Sequence, residues 1–565
     1  MKYIGSDKEI VKILIDNCKA IGIKHVVIAP GSRNAPLILS FAAYPNFTCY
    51  SIPDERSAAF YALGMARQLN QPVAIICTSG TAVLNLAPAI AEAYYQEIPL
   101  IVLTADRPPE LIDQEDGQTI RQHLIFANHC KDSITLPAEV NSLNQDNIKS
   151  DIIKTLNLAL TYPKQPVHIN IPFTEPLYKT AVCQTEKEVL ATKIPIPQIK
   201  EPETEPFFQT LAQCETVVLL AGVGAKNQML SNLINLLAKK TNIVVLAPAT
   251  SNIKGNEVFT SVDLICQSIN NTEAQSFSPD MLITLGGPMV SKAVKQFFRN
   301  NKPRYHFDID VNPALVNTYN ALTAKLVALP EQILSEMFKR NFTFSDSFKM
   351  LWKVRHNKVV TKLEDYVNYA GWSDLQVYDY IFQNISRPIN LHLGNSTPVR
   401  YAELFPAHQN INYWCNRGTS GIDGCTSTTA GAAIVSKTPH LLITGDISFV
   451  YDSNAFWNRH IPDNLKIIVI NNGGGNIFKI IPGPATSDYL DNFFVTRQYA
   501  NIQKICEAFK INYLMVNSMK TLEQKFPEFM NDTFYCTVLE IKTPEDKSAQ
   551  NFKDLIFKVA NNGYE

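Results

Sequence analysis

The sequence predicts an α/β protein built from three units, each with its own parallel β-sheet. Short, β-branched and nearly uncharged segments alternate with helical segments along the chain, and glycine, asparagine or charged residues follow directly after many of the apolar runs. The length agrees, because 565 residues correspond to three or four domains of about 150 residues each.

The composition argues against a nucleic-acid or membrane surface. Lys and Arg number 51 and Asp and Glu number 52, and neither sign forms long runs. Met1 to Glu9 is charged and lacks an apolar signal core, and no apolar run approaches the roughly 20 residues that span a bilayer. The eleven cysteines include no Cys-x-x-Cys pair, so we expect reduced, mostly buried thiols in a cytoplasmic protein.

Residues 1–182 are expected to form the first unit. Its predicted strands are His25–Ala29, Val73–Cys77, Leu100–Thr104 and Val167–Ile171. Loops after parallel strands carry most of the chemistry of such sheets. Three of these loops have unusual residues: Pro30-Gly31-Ser32-Arg33, Thr78-Ser79-Gly80-Thr81 and Ala105-Asp106-Arg107-Pro108-Pro109. The second loop is also explained as the cap of the next helix.

A helix is predicted over Ser57–Gln68 from its apolar stripe, and Asp54-Glu55-Arg56 opens it. Taken alone, Glu55 is a solvated carboxylate in the first helical turn, where the helix dipole favours negative charge. Only a bound cofactor would give this residue a stronger role.

Residues 183–206 are polar and rich in proline, which is typical of a linker. Residues 207–330 are expected to form a central unit with strands at Val217–Leu220, Ile243–Leu246, Met281–Leu285 and Tyr305–Ile309. Gly222-Val223-Gly224-Ala225 allows a dinucleotide-binding interpretation, but no acidic residue stands at a strand end about 20 residues further on. We therefore interpret this unit as mainly structural.

Residues 331–385 are charged and expected to form a helical bridge to a third unit at 386–565. The predicted strands of that unit are Ile389–Leu393, Asn412–Cys415, His440–Thr444, Leu465–Ile470 and Tyr535–Ile541.

Two polar motifs follow neighbouring strands of the third unit. Gly445-Asp446 ends one strand, and Asn471-Asn472-Gly473-Gly474-Gly475 ends the next. Asp446 and Asn472 are 26 residues apart, enough for one crossover helix near Ser453–Arg459. Each motif alone is an ordinary turn. Together they place a carboxylate, an amide and glycine carbonyls at one sheet edge, which suits Mg²⁺ and a diphosphate.

Five cationic residues fall just after predicted strands: Arg33, Arg107, Lys292, Arg400 and Arg417. Any one of them alone is best explained as a solvated surface residue. Because the arginine fork binds carboxylates in bidentate fashion, the five together indicate substrates with several carboxylates. His123, His392 and His408 lack metal-ligand spacing and are interpreted as structural.

The two motifs of the third unit resemble the metal and diphosphate motif of thiamine-diphosphate enzymes. The segment from Pro53 to Phe60 resembles the segment of their catalytic glutamate. Further segments resemble the family of 2-succinyl-5-enolpyruvyl-6-hydroxy-3-cyclohexene-1-carboxylate (SEPHCHC) synthases of menaquinone biosynthesis, over nearly the whole chain. They are Gly31-Ser32-Arg33-Asn34-Ala35-Pro36-Leu37, Cys77 to Ala82, Leu103 to Leu111, and Asn416-Arg417-Gly418 with Ser420-Gly421-Ile422-Asp423-Gly424.

The resemblance implies the fold of thiamine-diphosphate enzymes: a pyrimidine-binding domain, a central domain without cofactor and a diphosphate-binding domain. It implies thiamine diphosphate with Mg²⁺ or Mn²⁺, and a homodimer or homotetramer in which Glu55 of one subunit faces Asp446 of another. The implied metal ligands are Asp446, Asn472 and the carbonyl of Gly474. The remaining implied cofactor contacts are Glu55 as the catalytic residue, Thr81, Ser420, Ile422 as the bulky residue that bends the cofactor, Gly445, Ile447, Ser448, Ile477 and Phe478.

The implied reaction is decarboxylation of 2-oxoglutarate, followed by conjugate addition of the resulting succinyl-semialdehyde carbanion to isochorismate, giving SEPHCHC and CO₂. By the same resemblance the substrates are bound by Arg33, Arg107, Gln118, Lys292, Ser396, Arg400, Arg417, Phe478 and Ile481. Ile477, Phe478 and Ile481 are expected to form an apolar wall, and they are equally explained as the start of a core helix. Both interpretations can hold.

Three residues depart from the patterns of these enzymes. Gly117 stands before Gln118 where many members of the family have asparagine, and Ala293 follows Lys292 where some have arginine. Ile447 replaces a glycine common in thiamine enzymes generally, as is usual in this family. The main alternatives are another thiamine-dependent carboligase, such as an acetohydroxyacid synthase relative, a non-catalytic relative that kept the fold, and a nicotinamide-dependent enzyme.

Overall fold

The computed structural model describes residues 2–184, 201–481, 483–531 and 535–560. Its framework is three six-stranded sheets in which every pair of neighbouring strands runs parallel. This arrangement confirms the predicted α/β fold with three parallel sheets. The predicted linker at 183–206 falls mostly on residues 185–200, outside the described residues.

The first unit contains one parallel sheet and a small two-stranded ribbon. Its strands are β1 Lys2–Ser6, β2 His25–Ile28, β3 Thr48–Ser51, β4 Val73–Cys77, β5 Leu100–Asp106, β6 Asp132–Thr135, β7 Val167–Pro172 and β8 Thr180–Gln184. Its helices are α1 Glu9–Ala20, α2 Ala35–Ala43, α3 Glu55–Leu69, α4 Thr81–Asn85, α5 Ala87–Tyr95 and α6 Gln145–Leu160. The sheet order is β3-β2-β4-β5-β7-β6, and β1 pairs antiparallel with β8.

The central unit has the same architecture. Its helices are α7 Glu201–Leu211, α8 Gln228–Thr241, α9 Val262–Ser268 and α10 Lys292–Asn300. Its strands are β9 Val217–Ala221, β10 Val244–Leu246, β11 Val258–Phe259, β12 Met281–Leu285, β13 Tyr305–Asp310 and β14 Ala324–Val327, in the order β11-β10-β9-β12-β13-β14. A Cβ at Gly222 would lie 1.9 Å from the carbonyl oxygen of Gly287, so the close approach of two loops accounts for this glycine.

Three helices connect the central and third units: α11 Pro330–Lys339, α12 Asp346–Ala370 and α13 Asp374–Gln383. The strands of the third unit are β15 Ile389–Leu393, β16 Ile411–Cys415, β17 His440–Gly445, β18 Leu465–Asn471, β19 Asn512–Val516 and β20 Thr537–Lys542, in the order β16-β15-β17-β18-β20-β19. Its helices are α14 Thr397–Leu404, α15 Cys425–Ile434, α16 Asp446–Tyr451, α17 Ile477–Ile480, α18 Ile502–Ala508, α19 Met519–Asn531 and α20 Glu545–Ala560.

The predicted crossover helix at Ser453–Arg459 is wrong. The α-helix after β17 begins at Asp446 and ends at Tyr451, and Ser453–Phe456 forms a single 3₁₀ turn. Serine and asparagine, which fill much of the predicted segment, compete with the helix for backbone hydrogen bonds, whereas an aspartate is favoured in a first helical turn. The helix therefore starts at the carboxylate itself.

Helices α3 and α15 pack tightly and join the first and third units. A Cβ at Gly64 would lie 2.0 Å from the carbonyl oxygen of Thr428, and a Cβ at Gly431 would lie 2.2 Å from that of Tyr61. The glycines therefore permit backbone contact between the two helices. None of the helices in the described parts of the chain is long and apolar enough to cross a bilayer.

Candidate active site

The carboxylate of Asp446 lies at the C-terminal end of β17, beside the neighbouring strand β18. Its Oδ1 atom accepts a hydrogen bond from the backbone N–H of Ile447 at 2.8 Å. Its Oδ2 atom is buried and has no hydrogen-bond partner within the described ranges. Burial raises the pKa of Asp446 to about 7. A buried carboxylate oxygen without a partner fits a position that a metal ion would fill.

Asn472 follows β18 and is also buried. Its Nδ2 atom donates to Oδ2 of Asp374 at 2.8 Å, so its amide nitrogen is occupied. The third predicted ligand, the carbonyl of Gly474, accepts a hydrogen bond from the N–H of Asn476 at 2.8 Å and has a second lone pair free to bind a metal. Gly474 has φ +144°, and a Cβ there would lie 2.8 Å from the carbonyl oxygen of Thr496, so only glycine fits.

This donor set suits a hard cation. No group of three His, Cys, Asp or Glu residues able to hold a metal occurs among the described residues. One carboxylate, one carboxamide and one carbonyl match Mg²⁺, which takes few protein ligands and completes its octahedron with water and phosphate oxygens. His392, which was predicted to be structural, is buried and bonded to His440 at 2.9 Å.

The loop before α15 is tied to the start of α16. Ser448 donates from Oγ to the carbonyl of Ile422 at 2.8 Å. Asn395 holds the same loop, since its Nδ2 donates to the carbonyls of Asn416 and Gly421 at 2.7 and 2.6 Å. Ser420 has φ +66°, in the left-handed region that residues other than glycine seldom adopt. Five predicted cofactor residues, Ser420, Ile422, Gly445, Ile447 and Ser448, are thus on two segments bonded to each other.

Glu55 is the first residue of α3, capped by the side chain of Asp54. Its Oε2 atom accepts a hydrogen bond from Nδ2 of Asn85 at 3.4 Å. Thr81 is exposed and begins the short helix α4 in the same unit. Within the described part of one chain, no hydrogen bond or ion pair joins Glu55 to Asp446 or Asn472. A single chain therefore brings the predicted metal ligands together without joining the predicted catalytic carboxylate to them.

Arg33, Arg107 and Gln118 form one cluster in the first unit, which we call the first-unit cluster. Arg33 is 4% exposed, and burial together with the charge of Arg107 lowers its pKa. Its Nη1 donates to the carbonyl of Phe173 at 3.0 Å. Arg107 donates to the carbonyl of Gly117 at 2.8 Å, beside Gln118. The Nε atoms of both arginines are buried without a hydrogen-bond partner among the described residues, so each has a donor to spare.

Lys292, Arg400, Ile477 and Ile481 line one cavity of about 490 Å³ between the central and third units. Arg400 donates from Nη1 to the carbonyl of Ser396 at 2.6 Å. Burial and the nearby charge of Arg417 lower the pKa of Arg400. Arg417 itself donates to Oδ1 of Asn395 at 3.0 Å, and its Nε is another buried donor without a partner among the described residues. We call Arg400 and Arg417 the third-unit cluster, and Lys292 of the central unit lines the same cavity as Arg400.

Phe478 lies next to this cavity wall but does not line it. It is half-buried, and its ring packs against that of Phe494 with centroids 5.7 Å apart. Ile477 begins the four-residue helix α17 and also lines this cavity. Its place in an apolar wall around the substrates stays a prediction.

Several buried polar groups beside the site carry no sequence signal that we recognised. Glu403 and Asp263 line the same cavity as Lys292. Burial raises the pKa of Glu403 to about 7, and its Oε1 accepts from Oγ1 of Thr250 at 2.7 Å. A carboxylate at an apolar position, as in Tyr401-Ala402-Glu403-Leu404, is the pattern that predicts such a buried group. Asp374 lies in the helical bridge and has no such pattern around it.

The chain is similar in sequence to several proteins that share one name. The family described as thiamine pyrophosphate enzyme, N-terminal TPP binding domain, matches residues 8–125. A 2-succinyl-5-enolpyruvyl-6-hydroxy-3-cyclohexene-1-carboxylate synthase from Flavobacterium johnsoniae is 39% identical over 554 residues, covering 96% of this chain and 98% of that protein. Proteins of the same name from Flavobacterium psychrophilum and Porphyromonas gingivalis are 40% and 36% identical, over 94% and 99% of this chain and 95% and 98% of their own lengths.

Among solved structures, benzoylformate decarboxylase from Polynucleobacter necessarius has the same fold. It superposes with a TM-score of 0.69 and covers 95% of this chain and 99% of its own, although the two sequences are only 15% identical. The likeness extends across all three sheets, since nearly the whole of both chains is matched.

Proposed function

Because the chain belongs to the family of 2-succinyl-5-enolpyruvyl-6-hydroxy-3-cyclohexene-1-carboxylate synthases, we propose that it joins a unit derived from 2-oxoglutarate to isochorismate, with release of CO₂, in menaquinone biosynthesis. The observation that carries this proposal is the pair of cationic clusters. Three arginine Nε atoms in these clusters, those of Arg33, Arg107 and Arg417, are buried and lack a partner among the described residues. Two dicarboxylate substrates would supply the acceptors that these donors need.

We propose that the oxygen-rich site at the ends of β17 and β18 holds Mg²⁺, or Mn²⁺, and the diphosphate of thiamine diphosphate. Asp446, Asn472 and the carbonyl of Gly474 would bind the metal, and the backbone of Gly445, Ile447 and Ser448 would lie against the diphosphate. The cofactor, when bound, supplies the electron sink that a decarboxylation needs. The partnerless Oδ2 of Asp446 and the absence of a Cβ at Gly474 support this assignment.

Glu55 would exchange a proton with the aminopyrimidine ring of the cofactor. Among the residues that the structure describes, its carboxylate accepts one hydrogen bond, from Asn85 at 3.4 Å, so most of its accepting capacity remains available. Thr81, Ser420 and Ile422 would contact the same cofactor, and Ile477, Phe478 and Ile481 would exclude water from the reacting carbon. Water exclusion protects a reactive carbanion equivalent from protonation before the second substrate arrives.

The substrates would be held by their carboxylates. Arg33, Arg107 and Gln118 of the first-unit cluster would bind one side, and Lys292, Ser396, Arg400 and Arg417 the other. Arginine at most of these positions suits planar, bidentate recognition, whereas Lys292 acts as a point charge at the N-terminus of α10.

A dimer would complete the site. The Glu55 carboxylate and the first-unit cluster belong to one unit, and the metal ligands and the third-unit cluster belong to others, with no bond between the two sets in the described part of one chain. We propose that the first unit of one subunit faces the third unit of its partner, in a homodimer or a tetramer of such dimers. Two-fold symmetry would then create two identical sites.

The test is an assay of purified protein with thiamine diphosphate, Mg²⁺ and 2-oxoglutarate, with and without isochorismate, that follows CO₂ release and isochorismate loss together. Equal consumption of the two substrates is the expected result. Release of CO₂ with isochorismate untouched would instead favour another thiamine-dependent carboligase, such as a relative of acetohydroxyacid synthases. No release of CO₂ would contradict the choice of donor.

A further inference from the structure

The side chain of Asn472 has two ends of nearly the same shape, and only its oxygen can bind a metal. In the structure its Nδ2 donates to Oδ2 of Asp374 at 2.8 Å. The amide nitrogen can only donate, and it lies against Oδ2 of Asp374, which accepts. The chemistry of this partner therefore turns Oδ1 of Asn472 away from Asp374.

Asp374 is itself fixed by its surroundings. It is 1% exposed and is the first residue of α13. Its Oδ1 accepts from Oγ1 of Thr543 at 2.5 Å and from Oγ of Ser548 at 3.1 Å. Ser548 in turn accepts from the backbone N–H of Asp374 at 3.1 Å, so the hydroxyl proton of Ser548 is committed to the carboxylate. Both carboxylate oxygens are therefore used as acceptors.

These bonds connect three segments around the metal site. The N–H of Thr543 donates to the carbonyl of Asn471 at 3.1 Å, and Asn471 and Lys542 are paired at the ends of β18 and β20. Asp374 closes this arrangement from the helical bridge, 98 residues before Asn472 in the chain. Because hydrogen bonds engage both oxygens of the Asp374 carboxylate, its side chain is fixed in one orientation. The Asn472 amide that is bonded to it is fixed as well.

We propose that Asp374 is a positioning residue of the metal site, which orients the carboxamide of Asn472 so that Oδ1 faces the divalent cation. The inference deepens the proposed function and rests on it, because it presumes that Asn472 binds the metal. Second-sphere partners of this kind change metal affinity about 10- to 100-fold when they are removed.

The experiment compares the wild type with Asp374→Ala, Asp374→Asn and the control Asp280→Ala. Asp280 is a matched carboxylate in the central unit, whose Oδ2 accepts three hydrogen bonds from Glu215 and Thr216. The Kd of Mn²⁺ is measured by electron paramagnetic resonance of the free ion with thiamine diphosphate present, and that of Mg²⁺ by calorimetry. Unfolding in urea without metal is recorded for each variant.

We expect Asp374→Ala to raise the Kd of both metals by about 10- to 100-fold. Asp374→Asn should raise them less, because asparagine offers one acceptor where the site uses two. Asp280→Ala should leave both Kd values unchanged although it lowers stability. The near-isosteric Asp374→Asn decides the question if the alanine variant does not fold.

Wild-type Kd values in both Asp374 variants would overturn the inference. So would an equal loss of affinity in Asp280→Ala, because the effect would then follow from lost stability alone. Failure of the wild type to bind either metal would be a different result, since it would remove the proposed metal site together with the role of Asp374.

Discussion

Glu55 is the residue on which the proposed proton transfer depends. We expect Glu55→Gln to retain thiamine diphosphate, because the change keeps the size and a hydrogen-bonding group, and to lower kcat on the order of 10²- to 10⁴-fold. Steady-state turnover and calorimetric cofactor binding measure the two effects separately.

Glu9→Gln is the matched control for this substitution. Glu9 is also the first residue of a helix, α1, and its carboxylate pairs with Lys12 on the surface. It should leave both turnover and cofactor binding unchanged. Full turnover in Glu55→Gln would contradict the role that we assign to the carboxylate.

Glu403 should make stability depend on pH. Burial raises its pKa in the folded protein to about 7, above the unfolded value of about 4.3. The folded state then binds more protons between these two values, so the stabilising contribution is present below about pH 4 and is lost as pH rises through 7. Glu403→Gln removes this loss. The free energy of unfolding of the variant, relative to that of the wild type, should therefore be higher at pH 8 than at pH 5 by on the order of 2 kcal/mol.

Urea unfolding of the wild type and of Glu403→Gln at pH 5 and pH 8 measures this difference. Glu139→Gln, a change on the surface, serves as the control and should give the same small effect at both pH values. An unfolding free-energy difference between wild type and Glu403→Gln that is the same at pH 5 and pH 8 would show that Glu403 does not carry the shift.

Some residues of the site could be predicted from sequence patterns, and others could not. Asp446 and Asn472 follow apolar strands, so their position at one sheet edge follows from the alternation of strands and helices. Asp374 and Glu403 act through tertiary contacts with segments 98 and 153 residues away in the chain. Local periodicity does not report contacts of that range, which is why sequence reasoning missed these contacts, although the apolar neighbours of Glu403 are a pattern that predicts its burial.

At the scale of elements, the close packing of α3 against α15 predicts whether Gly64→Ala raises or lowers the free energy of unfolding. Gly→Ala in a helix normally stabilises by about 1 kcal/mol. At Gly64 the new Cβ would lie 2.0 Å from the carbonyl of Thr428, and overpacking of this kind costs about 1–3 kcal/mol or more. We therefore expect Gly64→Ala to lower the free energy of unfolding.

Gly117→Ala is the control for this prediction, because a Cβ there would have no atom within 4 Å. Its unfolding free energy should remain within about 0.5 kcal/mol of the wild type. Thermal or urea unfolding distinguishes the two variants. A stabilised Gly64→Ala protein would mean that α3 and α15 do not pack as closely as the structure describes.

The strands show why some elements were predicted and others were not. Buried central strands such as β4 and β12 were predicted with the same ends as in the structure. The strands β3, β6, β11, β14 and β19 were missed, and each lies at the edge of its sheet. An edge strand pairs on one side and is often short or polar, so it lacks the continuous apolar signal of a buried parallel strand.

At the scale of the whole molecule, the chain keeps its two cationic clusters on different units. In the first-unit cluster the charge of Arg107 acts on Arg33, and in the third-unit cluster the charge of Arg417 acts on Arg400. A synthase that uses two dicarboxylates needs both clusters at one place. The resemblance to a known family, and not any pattern of residues, predicted that a partner subunit brings them together.

A subunit-mixing assay tests this central claim most directly. Glu55→Gln and Asp446→Ala proteins, each inactive alone, are unfolded together, refolded at equal amounts and assayed for coupled loss of 2-oxoglutarate and isochorismate. If each site takes Glu55 from one subunit and Asp446 from the other, every mixed dimer has one intact site. Because half of the dimers are mixed, the activity should recover to about a quarter of the wild-type value.

The proportion of mixed dimers is measured in the same sample by native mass spectrometry, with one variant carrying a tag. Recovery to about a quarter of wild-type activity is the result that the shared site predicts. Mixed dimers that form in the expected proportion and remain inactive would contradict it, because they would show that each subunit needs its own Glu55 and its own Asp446.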